Sequence, residues 1–218
     1  MNKETMAAIL FDLDNTLYPP ERELFSLIDV RINRYMQEVA GIPAAAVDGL
    51  RRRYWAEYGV TLGGLIRHHG VDPEDYLEYV HDVDVDSRLA PDPGLRATLQ
   101  GLPQRKVVFT NGSRRHAERV LAALGVTDQF EDLFDIRIAT YRPKPYPEPY
   151  YKVIANLGLP ASRCVMVEDS PENLRTAKSL GMRTVLVGTA TTSTPSFVDV
   201  RIAAVAGIGT VMGVAGCC

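Results

Sequence analysis

Cysteine is scarce in this sequence, with three among 218 residues: Cys164 stands alone, and Cys217 and Cys218 are adjacent. This arrangement offers neither a disulfide framework nor the paired spacing of a zinc site. We therefore expect a protein of the reducing cytoplasm. Residues 1–6 are largely polar and the apolar stretch behind them is short, so we expect no secretory leader.

Neither sign of charge dominates: 24 Lys and Arg oppose 27 Asp and Glu, for a net charge of -3. Binding to a nucleic-acid polymer through bulk charge is therefore not expected. The uncharged stretch at 202–218 falls short of the roughly 20 residues that span a bilayer, so we expect no membrane role. For this stretch we predict a last strand followed by a loose end; the sequence leaves open the role and order of the Gly-rich tail at 190–218.

The most informative residues lie directly behind the short apolar run at 7–11. Asp12 and Asp14 are spaced i, i+2, which places both carboxylates on one side of an extended chain. Two anions roughly 4 Å apart repel by about 4 kcal/mol at an effective dielectric near 20. Such a pair needs a cation between its members or a proton on one of them. A solvated turn is the alternative, because Asp and Asn are common in turns.

The hydrophobic periodicity divides the chain into two parts. The first part is helical without a clear strand, with helices predicted at 24–39, 44–58, 61–69 and 73–80. In the second part, helices at 95–102, 114–124, 148–157 and 172–180 alternate with strands at 106–110, 135–139, 164–168 and 184–187. Apolar strands separated by helices indicate a parallel sheet that is covered on both faces.

The first strand belongs to the same sheet, so the helical part is an insertion. We predict an α/β fold: a Rossmann-like, three-layer core of residues 1–17 and 89–218, with a small helical cap of residues 18–88 inserted after the first strand.

Polar residues cluster around the predicted strand ends. They are Asp12 and Asp14, the Thr-Asn-Gly-Ser segment at 110–113, Lys144 between two prolines, and the Glu-Asp-Ser-Pro segment at 168–171. Ligands bind beyond the carboxyl ends of strands in an open parallel sheet. Each segment alone is a weak signal, but their order along the chain makes the set specific.

In these four motifs the chain resembles the haloacid dehalogenase (HAD) superfamily of phosphotransferases. The resemblance spans about residues 9–187 and implies the family's Rossmann-like core with an inserted cap. It also implies that Asp12 is a nucleophile that forms a phosphoaspartyl intermediate. Asp14 would be the general acid that protonates the leaving oxygen, and then the base that activates water.

The resemblance further implies a Mg²⁺ ion. The ion would be held by the Asp12 carboxylate, the Asp14 backbone carbonyl and Asp169, with Glu168 acting through a water. Mg²⁺ is a hard cation that prefers such oxygen ligands. Three further residues would orient this site: Thr16, Ser170 and Asn173.

The resemblance assigns the phosphate contacts to two other motifs. Thr110 and the Asn111 amide would hold phosphate oxygens, and Lys144 would offset the charge between the nucleophile and the phosphoryl group. Transition states of phosphoryl transfer depend mainly on such charge neutralisation.

We therefore expect a phosphomonoester hydrolase that acts on a small phosphorylated metabolite; the sequence leaves its oligomeric state open. A halide-displacing dehalogenase shares the nucleophile but needs neither the metal nor the second carboxylate, which would be costly to bury without a role. A phosphomutase would need cap groups that rebind a phosphorylated intermediate. A non-catalytic interaction module is disfavoured, because every catalytic position is filled.

Two segments, 14–19 and 58–65, resemble the pyrimidine 5′-nucleotidase branch of the family, which implies nucleoside 5′-monophosphates as substrates. Phosphatases of sugar phosphates or phosphoglycolate are the alternative. Several cap residues are candidates for contacting a base or ribose: Tyr54, Trp55, Tyr58, Arg67, His68 and His69. The opposing interpretation is that Tyr54 and Tyr58 pack a helix pair and that the histidines are surface residues.

Two other features have structural interpretations. Three consecutive arginines at 51–53 point in three directions on a helix, which favours a solvated face over an anion site. We expect Cys164 to begin a buried strand as a small apolar residue.

Overall fold

The computed structural model describes residues 6–189 and 193–213. Within these ranges, six strands form one parallel sheet in the order β3-β2-β1-β4-β5-β6. The strands are β1 (Ala8–Phe11), β2 (Arg105–Phe109), β3 (Asp132–Phe134), β4 (Cys164–Glu168), β5 (Arg183–Val187) and β6 (Val200–Ile202). This is the Rossmann strand order, and its direction reverses between β1 and β4.

Four helices lie in the chain between β1 and the rest of the sheet. They are α1 (Leu24–Glu38), α2 (Ala44–Tyr58), α3 (Thr61–His69) and α4 (Pro73–His81). Helix α1 packs on α4, and α2 packs on α3. The predicted positions of these helices are confirmed within one residue, and the described part of the insertion contains no strand. Its division from the core at residues 18 and 88 stays a prediction.

The remaining helices cover both faces of the sheet. They are α5 (Pro93–Gln100), α6 (Arg114–Leu124), α7 (Pro147–Leu157), α8 (Pro171–Ser179) and α9 (Ile208–Met212). Ile9 and Phe11 of β1 pack in one apolar cluster with α5 and α6, whereas Ala8 and Leu10 pack in a second cluster with α7 and α8. Because successive strand side chains point to opposite faces, β1 is buried on both sides and forms the centre of a three-layer α/β core.

The strand predicted at 135–139 is wrong. Strand β3 ends at Phe134, and Ile136–Ala139 form a 3₁₀ turn. The Asp135 carboxylate ends the strand by accepting hydrogen bonds from the backbone N–H groups of Arg137 (3.1 Å) and Arg114 (2.9 Å). The alternating apolar residues of this segment therefore belong to a turn that packs beside the sheet, and not to a strand.

The last strand, β6, shares only Ile202 with the stretch at 202–218 in which it is predicted, and the short helix α9 follows it instead of a loose end. Positions 190–192 and 214–218 of the predicted tail lie outside the described residues. No helix in the described ranges is both long and apolar enough to cross a membrane.

Candidate active site

The carboxyl ends of β1 and β4 place two acidic side chains next to each other. Phe11 of β1 pairs with Val167 of β4, and the Asp12 N–H continues the ladder by donating to the Val167 carbonyl (2.9 Å). Asp12 therefore comes level with Glu168. This is the point at which strand order reverses, where open parallel sheets bind ligands.

Lys144 joins these two carboxylates. Its Nζ donates to Asp12 Oδ1 (2.7 Å), Glu168 Oε2 (2.8 Å) and the Phe109 carbonyl (2.8 Å), and the residue is 1% exposed. Burial alone would lower the pKa of Lys144, but the charges of Asp12 and Glu168 outweigh it and raise that pKa above its ordinary value. Lys144 is therefore a fixed cation in contact with the predicted nucleophile.

Asn111 holds the loop that carries Lys144. Its Oδ1 accepts from the Lys144 backbone N–H (2.8 Å), and its Nδ2 donates to the Lys144 carbonyl (3.0 Å). The amide expected to bind phosphate thus positions Lys144, with one amide hydrogen unpartnered among the described residues. Thr110 is buried, and its Oγ1 accepts from the Gly112 N–H (2.9 Å).

Three carboxylates converge at this edge. Asp12, Glu168 and Asp169 each offer an oxygen within 4.8 Å of the others. Burial, followed by the charge of Glu168, raises the pKa of Asp12 to about 7. Burial likewise raises the pKa of Glu168 to about 7, and burial followed by the charge of Asp12 raises the pKa of Asp169. Converging oxygen ligands that are costly to ionise without a counter-charge fit a hard divalent cation such as Mg²⁺.

Three neighbouring residues, Thr16, Ser170 and Asn173, form hydrogen bonds to the cluster. Thr16 Oγ1 donates to Asp12 Oδ2 (3.2 Å) and lies 3.5 Å from Asp169 Oδ1. Asn173 Nδ2 and the Ser170 N–H donate to the two oxygens of Glu168, at 3.0 and 3.3 Å. Both oxygens of Glu168 therefore already accept hydrogen bonds from the protein, which suits an indirect contact with a metal.

Asp14 lies outside the three-carboxylate cluster and has its own partners. Its Oδ1 accepts from the Tyr18 hydroxyl (2.5 Å) and from His116 Nε2 (2.8 Å). Burial acts to raise the pKa of Asp14, but the charge and hydrogen bond of His116, together with the Tyr18 hydroxyl, hold it below its ordinary value. Asp14 Oδ2 has no hydrogen-bond partner among the described residues, and Asp14 lines the cavity in front of Asp12.

His116 is a residue that the sequence interpretation missed. It is fully buried and stacks on His81, the last residue of α4, with ring centroids 4.7 Å apart. Ser113 caps α6 and lies 3.2 Å from His81 Nδ1, which in turn donates to the Leu77 carbonyl (2.8 Å). Since α6 begins at the end of β2, its first turn faces the site. The spacing from the Thr-Asn-Gly motif could therefore have identified His116.

A cavity of about 660 Å³ opens between the strand ends and the helical insertion. Asp12, Thr110, Lys144 and Asp169 line its floor, and side chains of α1, α2, α3 and α4 line the opposite wall.

Most of the proposed cap contacts lie elsewhere. The Tyr54 hydroxyl is bonded to His69 Nε2 (2.9 Å) and the Tyr58 hydroxyl to His68 Nε2 (2.8 Å). Neither tyrosine, neither histidine nor Arg67 is among the residues that line the cavity as described. The packing interpretation therefore accounts for Tyr54 and Tyr58.

Three residues of α2 do line the cavity. They are Trp55, as the sequence interpretation allows, Ala56 and Arg51. The expectation that all three arginines at 51–53 form a solvated face is wrong for Arg51. Its guanidinium donates to Asp29 (2.5 Å) and Asn33 (2.9 Å) of α1, which turns it away from bulk water.

Comparison with known proteins gives one family. The model of the haloacid dehalogenase-like hydrolase family matches residues 6–181.

Two relatives illustrate the range of similar proteins. Phosphate metabolism protein 8 of Saccharomyces cerevisiae is 28% identical over 193 residues, which cover 81% of this chain and 60% of the yeast protein. The chain thus spans less than two thirds of that relative. A phosphoglycolate phosphatase of Rhodospirillum rubrum is 29% identical over 202 residues, which cover 83% of this chain and 78% of that protein.

Among solved structures, CbbY from Rhodobacter sphaeroides in complex with phosphate superimposes with a TM-score of 0.66 at 22% identity. The match covers 94% of this chain and 97% of that one.

Proposed function

This chain belongs to the haloacid dehalogenase-like hydrolase family, and we propose that it is a divalent-metal-dependent phosphatase of small phosphomonoesters that acts through a phosphoaspartyl intermediate on Asp12. The finer proposal is that its substrates are nucleoside 5′-monophosphates, as in pyrimidine 5′-nucleotidases. The proposed compartment is the cytoplasm, in keeping with the free, buried thiol of Cys164.

The observation that carries the proposal is the convergence of Asp12, Glu168 and Asp169 around one point, with Lys144 bonded to two of them. A dehalogenase needs one nucleophilic carboxylate and no metal, so the buried Glu168 and the partly buried Asp169 would be desolvated at a cost without a role. A phosphatase uses them. Asp12, Asp169 and the Asp14 backbone would hold Mg²⁺, which when bound supplies positive charge to phosphate oxygens.

In the first step, an Asp12 carboxylate oxygen attacks phosphorus while the bond from phosphorus to the leaving oxygen breaks. Lys144, already 2.7 Å from Asp12 Oδ1, orients the nucleophile and offsets the charge that builds up beside it. Thr110 and the second amide hydrogen of Asn111, which has no partner among the described residues, would contact phosphate oxygens. Asp14 gives a proton to the leaving oxygen.

In the second step, Asp14 takes a proton from water as the water oxygen attacks phosphorus. The bond between phosphorus and Asp12 then breaks, which releases phosphate and restores both carboxyl groups. The Tyr18 and His116 hydrogen bonds favour the ionised form of Asp14, which this step requires. A bound phosphate dianion nearby opposes that ionisation and favours the protonated form needed in the first step.

Phosphoglycolate is the second candidate substrate, because a relative with 29% identity is a phosphoglycolate phosphatase. A phosphomutase would need a cap cation to hold a second phosphate. Arg51, which the insertion contributes to the cavity wall, is already paired with Asp29.

The test is a phosphate-release assay over a panel of UMP, CMP, ribose 5-phosphate and phosphoglycolate, with Mg²⁺ or with EDTA. We expect release from monoesters with Mg²⁺, loss of activity with EDTA, and no turnover by Asp12→Asn. Activity that survives EDTA would contradict the metal-dependent mechanism. A higher kcat/KM for phosphoglycolate than for UMP and CMP would contradict the nucleotide assignment alone.

A further inference from the structure

The wall of the cavity opposite the carboxylates is largely apolar. The insertion contributes the following side chains to it: Phe25, Ile28, Ile32, Trp55, Leu62 and Val80. Trp55 is 60% exposed and Phe25 is 38% exposed, so both present apolar surface where the cavity meets solvent. A flat ring held between such side chains would bury surface that water now contacts.

Two hydroxyl groups interrupt this apolar wall. Tyr76 of α4 is 5% exposed and Thr61 at the start of α3 is 7% exposed, and both residues line the cavity. Neither hydroxyl has a hydrogen-bond partner among the residues that the structure describes. Burial raises the pKa of Tyr76, so its hydroxyl is a neutral donor. Neither hydroxyl oxygen is among the fully buried unpaired atoms, so both reach the open cavity, where a ligand can accept their hydrogen bonds in place of water.

The charge of the wall is balanced. Arg51 is its cation, and the guanidinium already donates to the carboxylate of Asp29 (2.5 Å) and the amide oxygen of Asn33 (2.9 Å). It can still donate a hydrogen bond to a neutral acceptor. It offers no uncompensated charge to a carboxylate or to a second phosphate.

From this arrangement we propose that the wall is a subsite for the leaving group, and that Tyr76 and Thr61 determine specificity by donating hydrogen bonds to an uncharged planar ring with carbonyl acceptors. The inference rests on the proposed phosphatase function. It predicts that monophosphates of such ring-bearing alcohols are preferred over monoesters whose leaving group is small and anionic.

The test compares two substrates that differ only by the ring. UMP carries an uncharged ring with two carbonyl groups, and ribose 5-phosphate lacks it. For the wild type we expect a kcat/KM at least tenfold higher for UMP than for ribose 5-phosphate and phosphoglycolate. In Tyr76→Phe and Thr61→Val, KM for UMP should rise about three- to tenfold, with kcat and the kinetics of ribose 5-phosphate unchanged.

Tyr35→Phe is the matched control. Tyr35 packs edge-on against Tyr76 with ring centroids 5.2 Å apart, but its hydroxyl donates to Asp75 and it does not line the cavity. This variant also loses one tyrosine hydroxyl from the same aromatic pair, and its KM for UMP should equal that of the wild type. Thermal melting of all three variants checks that each one folds.

Binding of uridine, measured by calorimetry, separates the two proposals because it needs no turnover. We expect uridine to bind the wild type and to bind both cavity variants more weakly. If phosphate is released equally fast from UMP and ribose 5-phosphate, or if both cavity variants bind uridine like the wild type, the subsite is refuted and the phosphatase proposal stands. If uridine binds as expected but no monoester is hydrolysed, the phosphatase proposal fails, and with it the assignment of the bound ring as a leaving group.

Discussion

Lys144→Met is the substitution that tests the core of the site most directly. Methionine has nearly the length of lysine and fills the same buried space, so the change removes the charge and the three donated hydrogen bonds with little loss of packing. It leaves Asp12 and Glu168 facing each other without the cation that now lies 2.7 and 2.8 Å from them.

The expected loss follows from those contacts. The pKa of Asp12 is about 7 with Lys144 present, and the Lys144 charge is one of the causes that lower it. Without that charge the pKa of metal-free Asp12 rises further, so the carboxylate of the proposed nucleophile becomes harder to ionise. Removing one preorganised electrostatic contact to the transition state costs about 3–4 kcal/mol. At about 1.4 kcal/mol per factor of ten, a loss of 3–4 kcal/mol corresponds to a decrease in kcat/KM of roughly 10²- to 10³-fold.

The assay is Mg²⁺-dependent phosphate release at neutral pH, with thermal melting to show that the variant folds. Lys178→Met is the control: it removes an exposed lysine paired with Asp199 and should change kcat/KM by less than about twofold. A folded Lys144→Met enzyme with a wild-type kcat/KM would refute the reasoning, because it would show that the nucleophile does not depend on its fixed cation.

Three further predictions concern other groups of the site. Without divalent cations, thermal stability should fall as the pH rises from 3.8 to about 7. The reason is that the folded state retains a proton on Asp12 that the unfolded state releases. A thermal stability that does not change with pH in EDTA would contradict this. Asp12→Asn should make this fall smaller, with the remainder due to Glu168, whose pKa is also raised to about 7, and Mg²⁺ should stabilise the wild type more at pH 7.5 than at pH 5. His116→Leu should lower kcat about tenfold or more, because Asp14 loses one of two donors, and His116→Gln should restore part of it; equal rates in all three proteins would assign His116 to packing alone. Asp29→Asn should leave Arg51 with an unbalanced charge and lower KM for phosphoglycolate about threefold; an unchanged KM would place Arg51 out of reach of the leaving group.

The carboxylates of the site differ in how strongly the protein stabilises their charge. Glu168 accepts hydrogen bonds from Lys144, Asn173 and the Ser170 N–H, so the protein stabilises the charge on both of its oxygens. Asp169 has no comparable cation of its own, and burial raises its pKa. Asp169 therefore has a less stabilised charge than Glu168, and it faces the cavity beside Asp12, where a phosphoryl group and its counter-ion would enter.

Local patterns in the sequence were sufficient for most of the secondary structure. Helices α2, α3 and α6 and strand β4 have the predicted bounds, because their periodicity is clear and glycine or proline marks most of their ends. The segment at 135–139 failed because alternating Ile136 and Ile138 look like a strand, whereas Asp135 binds two backbone N–H groups and ends the strand.

By itself, the sequence determined the alternation of strands and helices and the short polar motifs at the strand ends, because hydrophobic periodicity and i, i+2 spacing are local properties. Only the tertiary structure decided which groups those motifs touch. The contact of His116 with Asp14 joins residues 102 positions apart, and the pairing of Arg51 with Asp29 joins two different helices. Such contacts depend on how helices pack, and packing is a property of the whole chain that no single segment encodes.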